Sequence, residues 1–393
     1  MRLMKTGLVT IFISHLAQTL LGLGIAFSKE PQRIVTQDCS QDWVLFSSKP
    51  KEEGAYPDTN VTYYRYVYAV PANEEITIEL KGTFPKGRYM GFNLYDTANF
   101  NSEAGIADFE ILADEGSVNP WRESGQGNRD YTVKVQPKTQ ATQANTLPYP
   151  SESIEFERTY EVWYRIYLPE GDAQGEVALP KIFAKNAKTG AAVACPQKVD
   201  LPVSKIPRGG LFPKKLLPLQ AGETIYFYHH KGAGLYANKD THYLATRLPY
   251  LWDNPKNYVE FRFKAPTTPL TTKAPRSPEV RYWSFCAGAG VKTITYGCVS
   301  DKEVTINPDG FITLNLGPES LRSSFSKTNF LAVPEVGNMV LIYRNLLPAE
   351  GFPGNFEKIP TWPPDKSLEN PIVALQANQF ISDFSPVGTL KEK

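Results

Sequence analysis

Alternation with a period of two dominates this chain. The run Tyr160-Glu161-Val162-Trp163-Tyr164-Arg165-Ile166-Tyr167 interleaves ring and aliphatic side chains with polar ones until Pro169 stops it. That pattern predicts a β-strand. Similar short runs rich in β-branched and aromatic residues cover 64–70, 76–80 and 88–95, the last ending at Asp96. In the second half they recur at 224–228, 258–263, 282–285, 311–316 and 339–343. Helical periodicity is scarce, and only 318–325 and 371–381 read as short helices. Proline and glycine fall mainly between the runs, where they punctuate loops. The segments 136–153 and 266–278 read as loops, and 196–218 as a linker between two units.

The runs come twice, in one order. Val61-Thr62-Tyr63-Tyr64, Arg88-Tyr89, the strand from Asp130 and Tyr164-Arg165-Ile166-Tyr167-Leu168-Pro169 form the first set. Asp240-Thr241-His242-Tyr243, Arg281-Tyr282-Trp283, the strand from Gly310 and Tyr343-Arg344-Asn345-Leu346-Leu347-Pro348 form the second. Preserved order across four landmarks indicates an internal duplication. The expected fold is therefore all-β: two tandem β-sandwich or jelly-roll units at 29–197 and 198–393, with Pro-rich loops and few short helices.

The length, 393 residues, fits two such units. The formal net charge is +1, and no basic run stands out, so nucleic acid is not an expected partner. Arg2 and Lys5 precede an apolar stretch that ends at Ala26-Phe27-Ser28. This reads as a secretion signal cut after Ser28, the alternative being an uncleaved anchor that would form the one membrane contact. Export to a periplasmic or extracellular space gives the four cysteines a meaning. Cys286 and Cys298 flank a turn as neighbouring strands would, and Cys39 and Cys195 lie near the two ends of the first unit. The pairings Cys286–Cys298 and Cys39–Cys195 are thus expected over the other two connectivities.

Chemistry is harder to read. The chain has no Gly-x-Ser-x-Gly elbow, no His-Glu-x-x-His pair and no phosphate loop. His229, His230 and His242 cluster with Asp240 and are weak metal candidates, because adjacent strand residues point to opposite faces. No cofactor is expected beyond that one metal option. The Arg-aromatic segments, Arg88-Tyr89 and Arg281-Tyr282-Trp283, occur in both halves, as do Arg165 and Arg344. Together with Asp96, Asn238, Asp240 and Tyr243 they are candidates for holding a carbohydrate or other small polar ligand. The competing reading is structural: a sheet arginine pairs with a carboxylate such as Asp108 or Glu110 and spreads over neighbouring rings. Asn60-Val61-Thr62 matches a glycosylation triplet, which matters only in a host that glycosylates.

Asn238-x-Asp240-Thr241-x-Tyr243, Gly87-Arg88-Tyr89-x-x-Phe92-x-x-Tyr95-Asp96, Asp309-Gly310-Phe311-Ile312-Thr313 and Arg344-Asn345-Leu346-Leu347-Pro348 resemble segments of exported bacterial β proteins, the domain-of-unknown-function families 1254 and 1214. Here the Asn-Asp-Thr and Gly-Arg-Tyr elements come from different halves. The resemblance implies an envelope β-sandwich and supplies no catalytic residue. The leading expectation is a ligand-binding or envelope interaction module. The alternatives are a hydrolase or lyase acting on a polysaccharide or cell-wall polymer through paired carboxylates, and a His-dependent metalloenzyme.

Overall fold

The computed structural model describes residues 37–46, 55–98, 102–150, 156–201, 220–229, 236–248, 254–272, 276–290, 293–325, 329–335, 338–360 and 380–393, and among these described residues eighteen strands follow one another. The expected secretion signal, His230, most of the expected linker and most of the 371–381 helix lie outside these residues. The first half contains β1 (Val44–Phe46), β2 (Val61–Val70), β3 (Ile76–Thr83), β4 (Tyr89–Asp96), β5 (Ser102–Ala107), β6 (Asp130–Pro137), β7 (Thr146–Tyr149), β8 (Arg158–Tyr167) and β9 (Lys181–Asn186). The second contains β10 (Thr224–Ile225), β11 (Thr241–Leu248), β12 (Asn257–Lys264), β13 (Tyr282–Ala289), β14 (Thr295–Ser300), β15 (Phe311–Pro318), β16 (Asn329–Val333), β17 (Met339–Leu346) and β18 (Val387–Glu392).

The halves share a strand plan. Order β2-β8-β4-β5 in one sheet of the first half matches β11-β17-β13-β14 in the second. Order β7-β6-β3-β9 matches β16-β15-β12-β18. Even the parallel pairs correspond, β6 with β7 and β15 with β16. The local register is one residue away from the expected correspondence of 61–64 with 240–243. Asp58 N donates to Tyr63 Oη and Asn238 N to Tyr243 Oη, which matches Tyr63 with Tyr243.

Segment 136–153, expected as a loop, contains β7. Four residues with a proline among them are too short for period-two alternation to register, and an edge strand tolerates that proline. The strand is held by Asn145, whose side chain bonds Leu112 N, Leu112 O and Thr132 O. Asn329 makes the same three bonds, to Thr305 N, Thr305 O and Thr313 O, beside β16. The 318–325 segment forms a 3-10 turn over Glu319–Phe325 rather than an α-helix.

Three hydrophobic cores stack. The first joins both sheets of the first half through Tyr66, Ile78, Leu80, Phe92, Val133 and Tyr164. The second joins both sheets of the second half through Phe261, Phe263, Phe285, Leu314, Leu341 and Tyr343. The third lies between the halves and unites Tyr63, Tyr89, Trp163 and Tyr167 with Tyr236, Tyr282 and Leu346. The β2-β8-β4 sheet is consequently covered on both faces, and the inner strands β2, β8 and β4 are buried nearly throughout. Both expected disulfides are present, Cys39–Cys195 and Cys286–Cys298. Among the described residues no helix is long and apolar enough to cross a membrane.

Candidate functional site

The predicted Arg-aromatic residues meet at the seam between the halves, because alternation along β2, β4 and β8 turns every second side chain away from the first core. On β8, Glu161, Trp163, Arg165 and Tyr167 face the seam while Tyr160, Val162, Tyr164 and Ile166 fill the core. β17 and β13 present Arg344, Tyr282 and Ser284 from the other side.

The contacts are reciprocal. Arg88 Nη1 bonds Asp301 Oδ2 at 2.9 Å, and Arg281 Nη1 bonds Asp108 Oδ1 at 2.6 Å, each arginine reaching into the other half. Tyr89 Oη donates to Asp240 Oδ2 at 2.7 Å, and Tyr282 Oη to Asp58 Oδ2 at 3.0 Å. Arg165 Nη2 donates to Tyr236 O at 2.8 Å, and Arg344 Nη2 to Tyr56 O at 2.5 Å. Tyr95 Oη donates to Ala237 O and Thr295 Oγ1 to Pro57 O. The loops carrying Tyr56 and Tyr236 hold these two residues at φ 55° and 53°, a left-handed backbone unusual for tyrosine, and each loop crosses to the opposite half.

Glu161 is fully buried beside this seam. It accepts hydrogen bonds from Arg65 Nε, Trp163 Nε1 and Tyr236 Oη. Arg65 lies over the rings of Phe46, Trp163 and Tyr236. Arg165 lies 4.9 Å over Trp163 and also donates to Asn93 Oδ1 and Tyr95 Oη. The seam thus brings together five arginines (Arg65, Arg88, Arg165, Arg281, Arg344) and five carboxylates (Asp58, Asp108, Glu161, Asp240, Asp301).

The structure joins Arg88, Tyr89, Arg165, Asn238, Asp240, Tyr243, Arg281, Tyr282 and Arg344, and it does so with protein partners. Asn238 donates to Tyr167 Oη and accepts from Asp240 N, and the Tyr243 ring lies 5.8 Å under Arg344. Trp283 is elsewhere: it faces the second core against Phe263 and Tyr343. A single step along β13 separates it from Tyr282, so the strand pleat sends the two to opposite faces. Asp96 closes β4 and accepts from Ala98 N, a turn role. Asp108, named as a carboxylate that a sheet arginine could take, is taken by Arg281, which reaches it from the other half.

Sequence reading missed Tyr56, Asp58, Glu161, Tyr236 and Asp301. A signal for two of them exists: Gly54-Ala55-Tyr56-Pro57-Asp58 and Gly234-Leu235-Tyr236-Ala237-Asn238 share a Gly-x-Tyr-x-Asp/Asn pattern just before the first matched strands. No such pattern marks Glu161, whose role depends on Arg65 across the strand pair and Tyr236 from the other half.

Burial pushes the Asp108 carboxyl up to about 6, against the opposing pull of Arg281 and of the Met90 and Phe109 amides. Its folded pKa lies above the unfolded value near 3.9. The stabilising contribution of the protonated form is therefore full below about pH 4 and is lost as pH rises through 6. Folding is expected to take up a proton between these values. A carboxyl-carbon NMR titration of Asp108 should show a midpoint near 6, and a midpoint below 4 would refute the assignment.

Gly91 packs under the Tyr89 ring, so an added Cβ would collide with the Tyr89 hydroxyl and phenol carbon. Gly91→Ala is expected to displace the Tyr89–Asp240 bond and lower stability by about 1–3 kcal/mol, in the range of core overpacking. Thermal unfolding checks this, and an unchanged melting point would show that Tyr89 yields without cost.

Outside the seam, a surface pocket of about 220 Å³ opens on the first sandwich, lined by Lys81, Thr83, Asp114, Asp130 and Lys181. The group Asp58, Cys286 and Cys298 has its potential metal-binding atoms close together. Both sulfurs are joined in the disulfide and Asp58 is taken by Tyr282 and Ser284, so these residues do not suit a metal.

Neither a protein-family profile nor a curated protein sequence matches the chain. Among solved structures it is similar to an uncharacterized protein from Burkholderia cenocepacia, with 10% identity and a TM-score of 0.47 over 78% of this chain and 79% of that one. It is also similar to the VPA0106 protein from Vibrio parahaemolyticus, with 11% identity and a TM-score of 0.43 over 76% of this chain and 86% of that one.

Proposed function

We propose that the protein is a non-catalytic, exported interaction module that holds a polar ligand, an oligosaccharide by preference, on a rigid pair of joined sandwiches. The observation that carries this reading is the reciprocal pairing at the seam. Arg88, Arg281, Tyr89 and Tyr282 are each bonded to a carboxylate of the opposite half, so they serve cohesion of the body rather than an open cleft. Two disulfides fit an oxidising compartment, which supports export. The likeness of the Asn-x-Asp-Thr-x-Tyr and Gly-Arg-Tyr segments to exported families 1254 and 1214 supports an envelope setting.

The ligand position in this reading is the pocket of Lys81, Thr83, Asp114, Asp130 and Lys181. Ammonium, hydroxyl and carboxylate groups side by side suit a sugar bearing hydroxyl and acidic groups. The test is titration of the mature chain with neutral and uronic-acid oligosaccharides by calorimetry, with reducing-end release followed in parallel. Saturable binding that weakens at least tenfold in Lys81→Ala/Lys181→Ala, without chain cleavage, is expected. Release of new reducing ends would put the hydrolase reading in its place. Binding indifferent to both lysines would remove the pocket from it.

A further inference from the structure

The geometry points to a binding site for a small neutral polyol in the second half, formed by the Asn345 amide and the Trp283 indole with His242 at its outer end. The site is separate from the seam and from the pocket of Lys81 and Lys181, and it does not rest on the oligosaccharide reading.

The three residues form a row across one sheet. Asn345 of β17 is the register partner of His242 on β11 and of Trp283 on β13. Directly opposite residues of an antiparallel ladder share a face, and Trp283 places this face in the second core. The first half has a corresponding row, Thr62, Ile166 and Met90, in the same registers. Thr62 precedes Tyr63 as His242 precedes Tyr243, Ile166 follows Arg165 as Asn345 follows Arg344, and Met90 follows Tyr89 as Trp283 follows Tyr282. Ile166 and Met90 are fully buried members of the first core. Apolar side chains therefore serve packing at these two positions. The second half sets an amide and an indole N–H there instead.

These polar groups are left over by the protein. Asn345 is 1% exposed, and neither its Oδ1 nor its Nδ2 has a hydrogen-bond partner among the described residues. Trp283 is equally buried, and its Nε1 is likewise unmatched among them. Phenol hydroxyls without a partner occur elsewhere in the cores, Tyr66 and Tyr164 for example, but no other buried amide side chain among the described residues lacks partners at both ends. The buried indoles of Trp43 and Trp163 each donate, to Pro180 O and to Glu161 Oε1. A buried amide without partners works against folding. Its place where the first half uses isoleucine, beside an unmatched indole, fits a binding role kept at some cost in stability.

The leftover groups set the ligand class. Asn345 offers an acceptor and two N–H donors, and Trp283 one N–H donor. A hydroxyl both donates and accepts, so neighbouring hydroxyls of one polyol answer all of them. A net charge on the ligand is disfavoured, because neither residue carries a charge to offset it at this depth. His242 marks the outer end. Its Nδ1 lies 3.1 Å from Asn355 Oδ1 and its Nε2 3.4 Å from Glu357 Oε1, so the ring is a wall held by the 3-10 turn Phe356–Lys358. His229 is tied through Nδ1 to Ile359 O. The His242 side chain is 20% exposed and that of Glu357 70%, which sets this end of the row at the surface. From β11 to β13 the row covers two strand spacings, about 10 Å, a length that a short polyol matches.

The test titrates the mature, disulfide-closed chain with glycerol and with D-glucose by calorimetry, and records the melting temperature of the free protein and its variants. Saturable binding of at least one probe at millimolar concentration is expected, and binding of neither would overturn the proposal. Asn345→Leu, the nearest apolar match in shape, should weaken binding at least tenfold. It should also raise the melting temperature of the free protein by about 2–4 °C, because it removes an unpaired buried amide. Trp283→Phe, which keeps a ring and drops the N–H, should weaken binding severalfold. Affinity unchanged in both variants would overturn the site. So would a lowered melting temperature in Asn345→Leu, which would mark an amide that the fold itself employs through ordered water. Lys81→Ala/Lys181→Ala should leave the affinity for these probes as it was. Loss of binding there would assign the probe to the first-half pocket and overturn this site, while the oligosaccharide reading would stand.

Discussion

Glu161→Ala is expected to destabilise the protein by about 3–5 kcal/mol, the range for removing one member of a buried ion pair. The loss is not that of a single contact. Glu161 is inaccessible to solvent and accepts from Arg65, Trp163 and Tyr236 at once. Its removal leaves the Arg65 guanidinium buried without its carboxylate, though still donating to Leu201 O, and leaves the Trp163 and Tyr236 donors without that acceptor. Tyr236 belongs to the second half, so the change also loosens the seam. Urea unfolding of the variant measures the effect. A companion variant, Arg65→Met with Glu161→Leu, removes both charges and should lose far less, since apolar replacement of a whole buried pair is often near neutral. A loss under 1 kcal/mol in Glu161→Ala would mean that water reaches Arg65 and the seam is not a dry interface.

Opening the two disulfides is expected to have unequal effects. Cys39–Cys195 spans a sequence separation of 156 and Cys286–Cys298 one of 12. In the chain-entropy treatment these correspond to about 5 and about 3 kcal/mol, with measured values often smaller. The longer closure also has a local consequence. It fastens the segment bearing Trp43, whose indole donates to Pro180 O and packs on Tyr66 and Tyr164, to the first sandwich. The paired substitution Cys39→Ser/Cys195→Ser should therefore lower the urea midpoint more than Cys286→Ser/Cys298→Ser. The reverse order would show that the short bridge, whose Cys298 sulfur accepts from Thr59 N at the seam, matters more through contacts between the halves than through loop closure.

Much of the architecture was legible because its physics is local. Strand alternation follows from the pleat, so Tyr160 to Tyr167 announced β8 without any knowledge of its neighbours. The repetition was visible for the same reason: equivalent strands need equivalent alternation, and Arg165-Ile166-Tyr167-Leu168-Pro169 and Arg344-Asn345-Leu346-Leu347-Pro348 close equivalent strands. Leu168 and Leu347 even share a positive φ, 45° and 47°. The strand β7 escaped because four residues carry too little pattern, and its Asn145 clamp acts on Leu112 and Thr132, which are distant in sequence.

The candidate site was half legible. Composition and repetition identified which arginines and tyrosines stand out; they did not reveal that their partners come from the opposite half. A sheet arginine does take Asp108, but it is Arg281 from the other half, while Arg88, closer to Asp108 along the chain, takes Asp301. Proximity along the chain was the wrong guide because β4 and β13 face each other across the seam. In the same way, His242 was grouped in sequence with Asp240, whereas the folded chain turns Asp240 toward Tyr89 and sets Glu357, more than a hundred residues later, beside the imidazole.

By itself, then, the sequence determined the all-β character and most of the strands, since side-chain alternation acts within one strand, and it favoured a cysteine pairing whose longer bridge the fold closes across a separation of 156. Tertiary structure alone decided that the Arg-Tyr residues form a seam rather than a cleft, and which carboxylate each charged group meets. Such partnerships depend on which of two strand faces looks outward and on what the other half brings to it, and neither is encoded within a single stretch of chain.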